Sequence, residues 1–230
     1  MNKHCVLFLA RTPTPMLQQA VQELKTSYSI DSFIISDSPT HCKHSVYIPN
    51  EVCIKNNYRY CHWPSVQGKS ALAWDRGLYF SAEQSDYDYY WFIEDDVYFR
   101  DTRLLYSMIE RFTGFQYDFI ATGRITLASE PSWSHWHLAS GFFDKPVAAF
   151  MPVSRISKRL LKKVSNFAKQ YERLAFHELM IASLAADNDM SFAEIKDIAP
   201  FVQMRYRPAL TKEEIEQKAN CILHPWKDAL

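Results

Sequence analysis

Apolar and polar positions change period several times along this chain, and each change predicts an element. Cys5–Ala10 is a short continuous apolar run, and after Thr14-Pro15 the residues Leu17, Ala20, Val21 and Leu24 recur at helical spacing. Thr14 offers a side-chain cap, and Pro15 brings the fixed φ suited to a first helical position. A second run, Ser32-Phe33-Ile34-Ile35-Ser36, predicts a buried strand ending at Asp37 and completes a β-α-β opening. Residues 37–67 carry Pro39, Pro49 and Pro64 with no sustained period, which predicts a long surface excursion.

Helical spacing returns at Ala71, Trp74, Leu78 and Ala82, and the bulky run Tyr89-Tyr90-Trp91-Phe92-Ile93 then predicts a strand stopping at Glu94-Asp95-Asp96. Asp101 can cap a helix striped by Leu104, Leu105, Met108, Ile109 and Phe112, and Asp118–Ala121 reads as another strand. Val147–Pro152 is a further strand, followed by a basic amphipathic helix with Ile156, Leu160, Leu161, Val164, Phe167 and Tyr171 on one side. Its Lys158, Arg159, Lys162 and Lys163 form a solvated face or approach an anionic acceptor or membrane surface. A second helix covers about 174–186, Phe201–Tyr206 reads as a last strand, and Thr211 with Glu214 makes a capping box. Alternating strands and helices predict an α/β domain whose mostly parallel sheet is covered on both faces and binds ligands beyond the C-terminal strand ends.

Composition narrows the function. The 230 residues are 47% hydrophobic and 15% aromatic, enough to build a core and exclude a disordered chain. Lys+Arg and Asp+Glu are both 26, so the balance argues against extended nucleic-acid binding, which favours a basic excess. The glycines, Gly68, Gly77, Gly114, Gly123 and Gly141, have neither dinucleotide-fingerprint nor P-loop spacing. Cys5, Cys42, Cys53, Cys61 and Cys221 are odd in number with no CxxC pair, which speaks against a zinc ribbon or disulfide scaffold and for a reducing compartment. No apolar run has signal-peptide or membrane-span length, so a cytoplasmic location is expected. His135-x-His137 and His41-Cys42-x-His44 have the look of metal pairs but lack a convincing set of partners.

The triplet Glu94-Asp95-Asp96 is bracketed by apolar residues, an awkward place for charge. Like charges this close raise one another's pKa unless a cation or hydrogen-bond donors offset the repulsion, so an oxygen-loving divalent ion is a natural partner. Alternation along extended chain puts Glu94 and Asp96 on one side and Asp95 on the other. The plainer alternative is a strand end with solvated acids, one of them capping a turn.

A strand ending in Glu-Asp-Asp, preceded by a β-α-β half and followed by a second α/β half, resembles the DxD-type motif of nucleotide-sugar glycosyltransferases with the GT-A fold. The resemblance implies a nucleotide-sugar donor, a UDP-sugar, and Mn²⁺ or Mg²⁺ held by Asp96, with Asp95 and Glu94 in supporting roles. It divides the single domain into a nucleotide-sugar half, about 1–122, and an acceptor half, about 123–230. Arg11 and Asp37 fall where the family holds the nucleoside. Gly68-Lys69-Ser70 opens the helix carrying Asp75 and Arg76, and Lys69 and Asp75 are directed toward the nucleotide, although Lys69 reads equally as a solvated surface lysine. Cys221-Ile222-Leu223-His224-Pro225-Trp226-Lys227 looks like the late segment that folds back onto the metal, making His224 a second ligand and Lys227 a phosphate contact.

Phe176-His177-Glu178-Leu179 resembles the segment from which inverting members supply a general base. Glu178 is the candidate, His177 an alternative of more convenient pKa, and an internal salt bridge the structural reading of Glu178. Trp133 and Trp136 lie in a polar-aromatic stretch without helical or strand period and can stack on an acceptor sugar. Rival functions are a nucleotidyltransferase acting on a sugar phosphate and a non-catalytic carbohydrate-binding protein of the same fold; the missing glycine-rich phosphate loop counts against the former.

Overall fold

A computed structural model describes residues 2–61, 71–84 and 86–227. The opening β-α-β unit forms as its pattern demands. β1 (His4–Ala10) is buried throughout, and α1 (Pro15–Tyr28) follows with Thr14 Oγ1 accepting from the Leu17 N–H at 3.3 Å. Leu17, Ala20, Val21 and Leu24 are buried on that helix, and β2 (Asp31–Ser36) pairs parallel with β1. The described part of the expected 37–67 excursion, residues 37–61, has more order than its lack of period suggests. It contains the two-residue β3 (Ser45–Val46) and the six-residue α2 (Asn50–Lys55), both too short to show a repeat.

α3 (Ala73–Glu83) precedes β4 (Tyr89–Glu94), whose first five residues are buried and which lies parallel to β1. The helix starts at Ala73, so Gly68-Lys69-Ser70 does not open it, and those three residues lie outside the described ones. Gly77 lets α3 lie close on the sheet: a Cβ there would stand 2.9 Å from Leu9 Cδ2 and 3.3 Å from Phe92. After β5 (Tyr98–Phe99), Asp101 caps α4 (Thr102–Phe112) by accepting from the Arg103 N–H at 2.8 Å. β6 (Phe119–Thr126) follows, and the 122/123 division falls inside it, so the sheet runs across that boundary.

β7 (Val147–Ser157) is nearly twice the predicted strand and runs antiparallel to both β4 and β6. Ile156 therefore belongs to the strand, opposite Tyr90 and Phe119, and not to the following helix stripe. The boundary is set by Ser157, whose Oγ accepts from the Leu160 N–H at 3.1 Å and starts α5 (Lys158–Tyr171). α6 (His177–Asp187) comes next, then β8 (Phe192–Glu194), which the sequence pattern did not announce, and the single-turn α7 (Ile195–Ile198). The expected strand at 201–206 shrinks to β9 (Val202–Met204) and is not the last. α8 (Lys212–Gln217), with its Thr211/Glu214 capping box, leads to β10 (Ile222–His224).

The main sheet has the order β3-β2-β1-β4-β7-β6-β8, with β7 its antiparallel member. Alternate residues of the central strands face opposite layers. Leu7, Leu9 and Phe92 pack with α3, α5 and α6, while Val6, Phe8, Trp91 and Ile93 pack with α1 and α4. Each fully buried Leu, Ile or Phe contributes roughly 1.5–3 kcal/mol relative to exposure, so these two layers carry most of the stabilisation. A three-stranded sheet, β5-β10-β9, stands beyond the C-terminal end of β4, and the Trp226 N–H donates to the Asp96 carbonyl at 2.7 Å. Trp226 is thereby laid against the acidic turn. Among the described residues no helix is long and apolar enough to cross a membrane.

Candidate active site

Because β1, β2 and β4 are parallel, their C-terminal ends present Arg11, Asp37 and Glu94-Asp95-Asp96 along one sheet edge. Asp95 and its neighbours point to different sides, although β4 ends at Glu94 and Asp95-Asp96 already lie in a turn and not in extended chain. The Asp95 carboxylate, at the protein surface, accepts the Arg11 backbone N–H at 3.1 Å, and partial loss of its hydration raises its pKa against that bond. Asp37 receives the Ala73 N–H and lies 3.6 Å from Arg76 Nη1; burial raises its pKa although the guanidinium opposes the shift. Arg11, Asp37 and Asp95 thus stand close together at the C-terminal ends of β1, β2 and β4.

Glu94 and Asp96 turn the other way and meet His224, brought there by β10. One ligand atom from each of these three residues lies within 4.8 Å of the others. Among the described residues they form the one group of three or more such side chains with that spacing. His224 Nδ1–H donates to the Arg205 carbonyl at 2.9 Å, which leaves Nε2 unprotonated in the neutral ring. Nε2 stands 3.1 Å from Asp96 Oδ1, a buried oxygen without a hydrogen-bond partner. Two lone pairs facing at that distance call for a cation or a proton. Burial opposes charging His224, but a proton on Nε2 would bridge to the facing Asp96 carboxylate, and that carboxylate outweighs burial and raises the pKa. Burial likewise pushes Glu94 up to about 7, with the Trp74 hydrogen bond working against the shift and the Asp96 charge with it. Two carboxylates and one imidazole suit Mn²⁺ or Mg²⁺, and the nitrogen ligand favours Mn²⁺.

These three line a cleft of about 790 Å³, with His177 and Glu178 from the start of α6 on its wall. Burial and then the Glu94 charge push Glu178 up to about 8, while the Met151 backbone amide holds it down. The buried His177 donates Nδ1–H to the Cys61 carbonyl at 2.8 Å, and its Nε2 lies 3.9 Å from Glu94 Oε1. Exposed Lys227 also lines the cleft.

Trp133 forms part of the wall, but Trp136 does not line it. Trp136 packs edge-on behind Trp133 at 4.9 Å and donates its indole N–H to the Glu130 carbonyl at 2.8 Å. His135 takes its place in the lining, edge-on to Phe176 at 5.9 Å. A nucleotide contact from Asp75 is ruled out by its burial, since the residue is 0% exposed. Its Oδ1 accepts from the Cys61 N–H at 3.0 Å and its Oδ2 from the Leu72 N–H at 2.9 Å. Asp75 therefore fixes the strand of chain whose Cys61 carbonyl holds His177. Arg76 is spent inside as well, on the Ile48 and Ala71 carbonyls and on Asn50 Oδ1. Lys69 lies outside the described residues. His137 Nδ1–H donates to the Ser134 carbonyl and His44 contacts Gln22, and among the described residues neither histidine pair gathers a metal set. Arg159 pairs with the buried Asp118 instead of joining a wholly solvated face.

Sequence reasoning missed Trp74, whose indole N–H donates to Glu94 Oε1 at 2.8 Å. Its place in an apolar stripe identifies the ring's packing and hides its polar end. Tyr206 and Arg207 on the cleft rim were missed too, and nothing in their local pattern marks them.

No family model matches the chain, and no curated protein matches it by sequence. Solved structures do. An active-site mutant of LgtC superposes with TM-score 0.51 at 12% identity, covering 98% of this chain and 88% of that one. The galactosyltransferase LgtC in complex with donor and acceptor sugar analogues superposes with TM-score 0.50 at 13% identity, covering 98% and 87%. Mouse xyloside xylosyltransferase 1, in its apo form, gives a TM-score of 0.43 at 10% identity, covering 97% of each chain. The fold is therefore the GT-A-like fold of glycosyltransferases, on a single domain with a mostly parallel sheet between helical layers.

Proposed function

We propose that this chain is a metal-dependent glycosyltransferase that moves a sugar from a nucleotide-sugar, a UDP-sugar, to a hydroxyl of a glycan or glycoconjugate acceptor. The carrying observation is the convergence of Glu94, Asp96 and His224 in a cleft that also holds Glu178. Asp96 and His224 hold the ion and Glu94 completes the set. When bound, Mn²⁺ or Mg²⁺ offsets the charge that develops on the departing nucleoside diphosphate. Arg11, Asp37 and Asp95 take the nucleoside beyond the C-terminal ends of β1 and β2, and Lys227 reaches the diphosphate from the cleft.

Glu178 takes the proton of the attacking acceptor hydroxyl if the anomeric configuration inverts. A carboxylate pushed up to about 8 is a stronger base than an ordinary glutamate, and its pKa lies near working pH. Retention would remove that role. Trp133 offers its face to the acceptor sugar, with His177 on the same wall.

A thermal-shift panel of nucleotides and nucleotide-sugars, with and without Mn²⁺, tests the reading without needing the acceptor. Stabilisation by UDP or a UDP-sugar that requires Mn²⁺ and vanishes in Asp96→Ala is the expected result. A response confined to nucleoside triphosphates would replace the transferase with a nucleotidyltransferase. Metal-dependent nucleotide binding without turnover on any acceptor would leave a carbohydrate-binding protein of the same fold.

A further inference from the structure

A carboxylate that serves a cation needs its own orientation fixed, and the groups that fix it contribute to affinity without touching the ion. Glu94 is the last residue of β4 and is half-buried, so nothing in the strand alone determines where its carboxylate points. The fixing group comes from α3. Trp74 is 7% exposed, and its one polar hydrogen is aimed at Glu94 Oε1 at 2.8 Å. The same indole stacks on Phe92 with ring centroids 5.2 Å apart and on His177 at 4.2 Å, with interplanar angles of 6° and 20°. His177 is anchored independently, its backbone N–H and Nδ1–H both reaching the Cys61 carbonyl at 2.8 Å. One side chain therefore joins the acid at the end of β4 to the first residue of α6, and Glu178 is the next residue along.

A tryptophan serving only as core filler needs volume and a partner for its N–H, and a backbone carbonyl would satisfy it. Here the partner is a carboxylate of the candidate metal set. We propose that Trp74 is a positioning residue: its indole N–H holds the Glu94 carboxylate beside Asp96 and His224, and its ring keeps His177 and Glu178 in register with them. This rests on the metal-dependent reading given above.

The test is a Mn²⁺ titration of the full chain, with free Mn²⁺ read by electron paramagnetic resonance, so that neither donor nor acceptor is needed. Trp74→Phe keeps a ring on His177 and loses the donor; it is expected to weaken Mn²⁺ binding about tenfold. In a Glu94→Ala background, which removes the hydrogen-bond acceptor, the same change should have no further effect, because the cycle isolates an interaction passing through Glu94. Phe92→Leu thins the same stack while keeping the N–H, and should lower Tm with Mn²⁺ affinity unchanged. Unaltered affinity in Trp74→Phe overturns the inference, as do additive losses in the double variant or an equal loss in Phe92→Leu. Failure of the unmodified chain to bind Mn²⁺ removes the metal reading itself, and this inference with it.

Discussion

At the scale of single residues, the imidazole of His224 is committed on one side and open on the other. Nδ1–H is fixed by the Arg205 carbonyl, so Nε2 is the atom left for the Asp96 side. Asp96→Ala should abolish Mn²⁺-dependent stabilisation by nucleotides and leave the fold intact, since the bond that ties down Trp226 uses the Asp96 backbone carbonyl. Thermal melts with and without Mn²⁺ check this, and a metal response retained in the variant would remove Asp96 from the ligand set. Glu178→Gln should reduce transfer by about 10²–10⁴-fold with donor binding preserved, if the group acts as base. The measurement is kcat alongside nucleotide-dependent Tm. A different kind of residue effect concerns His4, buried on β1 with Nδ1 accepting from the Trp91 indole at 3.3 Å. Burial, helped by the Arg155 charge, lowers its pKa from 6.5 to about 4. Between those values the unfolded chain binds the extra proton and the folded one does not. The stability contributed is thus fully present above pH 6.5 and is lost as pH falls toward 4, by roughly 3 kcal/mol at most. Urea midpoints across that window should fall less steeply in His4→Gln than in the native chain.

At the scale of elements, close approach and caps decide where the site groups stand. α3 can deliver Trp74 to Glu94 only because Gly77 lets it lie on Leu9 and Phe92. Gly77→Ala would gain up to about 1 kcal/mol of helix propensity, but overpacking against the sheet costs ~1–3 kcal/mol, so a lower Tm is expected. Removing the α8 cap with Thr211→Ala should cost about 0.5–2 kcal/mol, measurable by denaturant titration. That cap matters at a distance: Glu214 of the same box ion-pairs with Arg205, whose carbonyl orients His224. Such local devices were legible in the sequence. Thr14-Pro15, Asp101 and Thr211 with Glu214 each act within three residues, so the pattern and the structure agree on them. Short elements were not legible: β3, α2 and β8 span two, six and three residues and cannot display a period. Nor does a run of apolar residues state its direction, which is why β7's antiparallel course and its hold on Ile156 emerge only from pairing.

At the scale of the whole molecule, the acidic strand end and the late histidine could be singled out along the chain because each is unusual locally. Their meeting depends on β10 pairing with β5, a contact no local pattern encodes. Asp75 shows the converse error. A carboxylate on the right helix looked like a ligand contact, yet the tertiary fold buries it on the amides of Cys61 and Leu72. Mn²⁺ binding to the assembled set should raise the Tm of the whole domain and not of one layer, because a ligand that binds only the native state stabilises it by mass action. A single cooperative transition moving with Mn²⁺ concentration is expected in calorimetry; a split endotherm would mean that the small sheet melts apart from the main one.

The small sheet also sets an order in time. While the chain is still on the ribosome, the acids of β4 emerge long before the imidazole of β10 exists to join them. A nascent chain that has made only its central strands therefore holds Glu94 and Asp96 without His224, and the three candidate ligands stand together only after the closing strand docks.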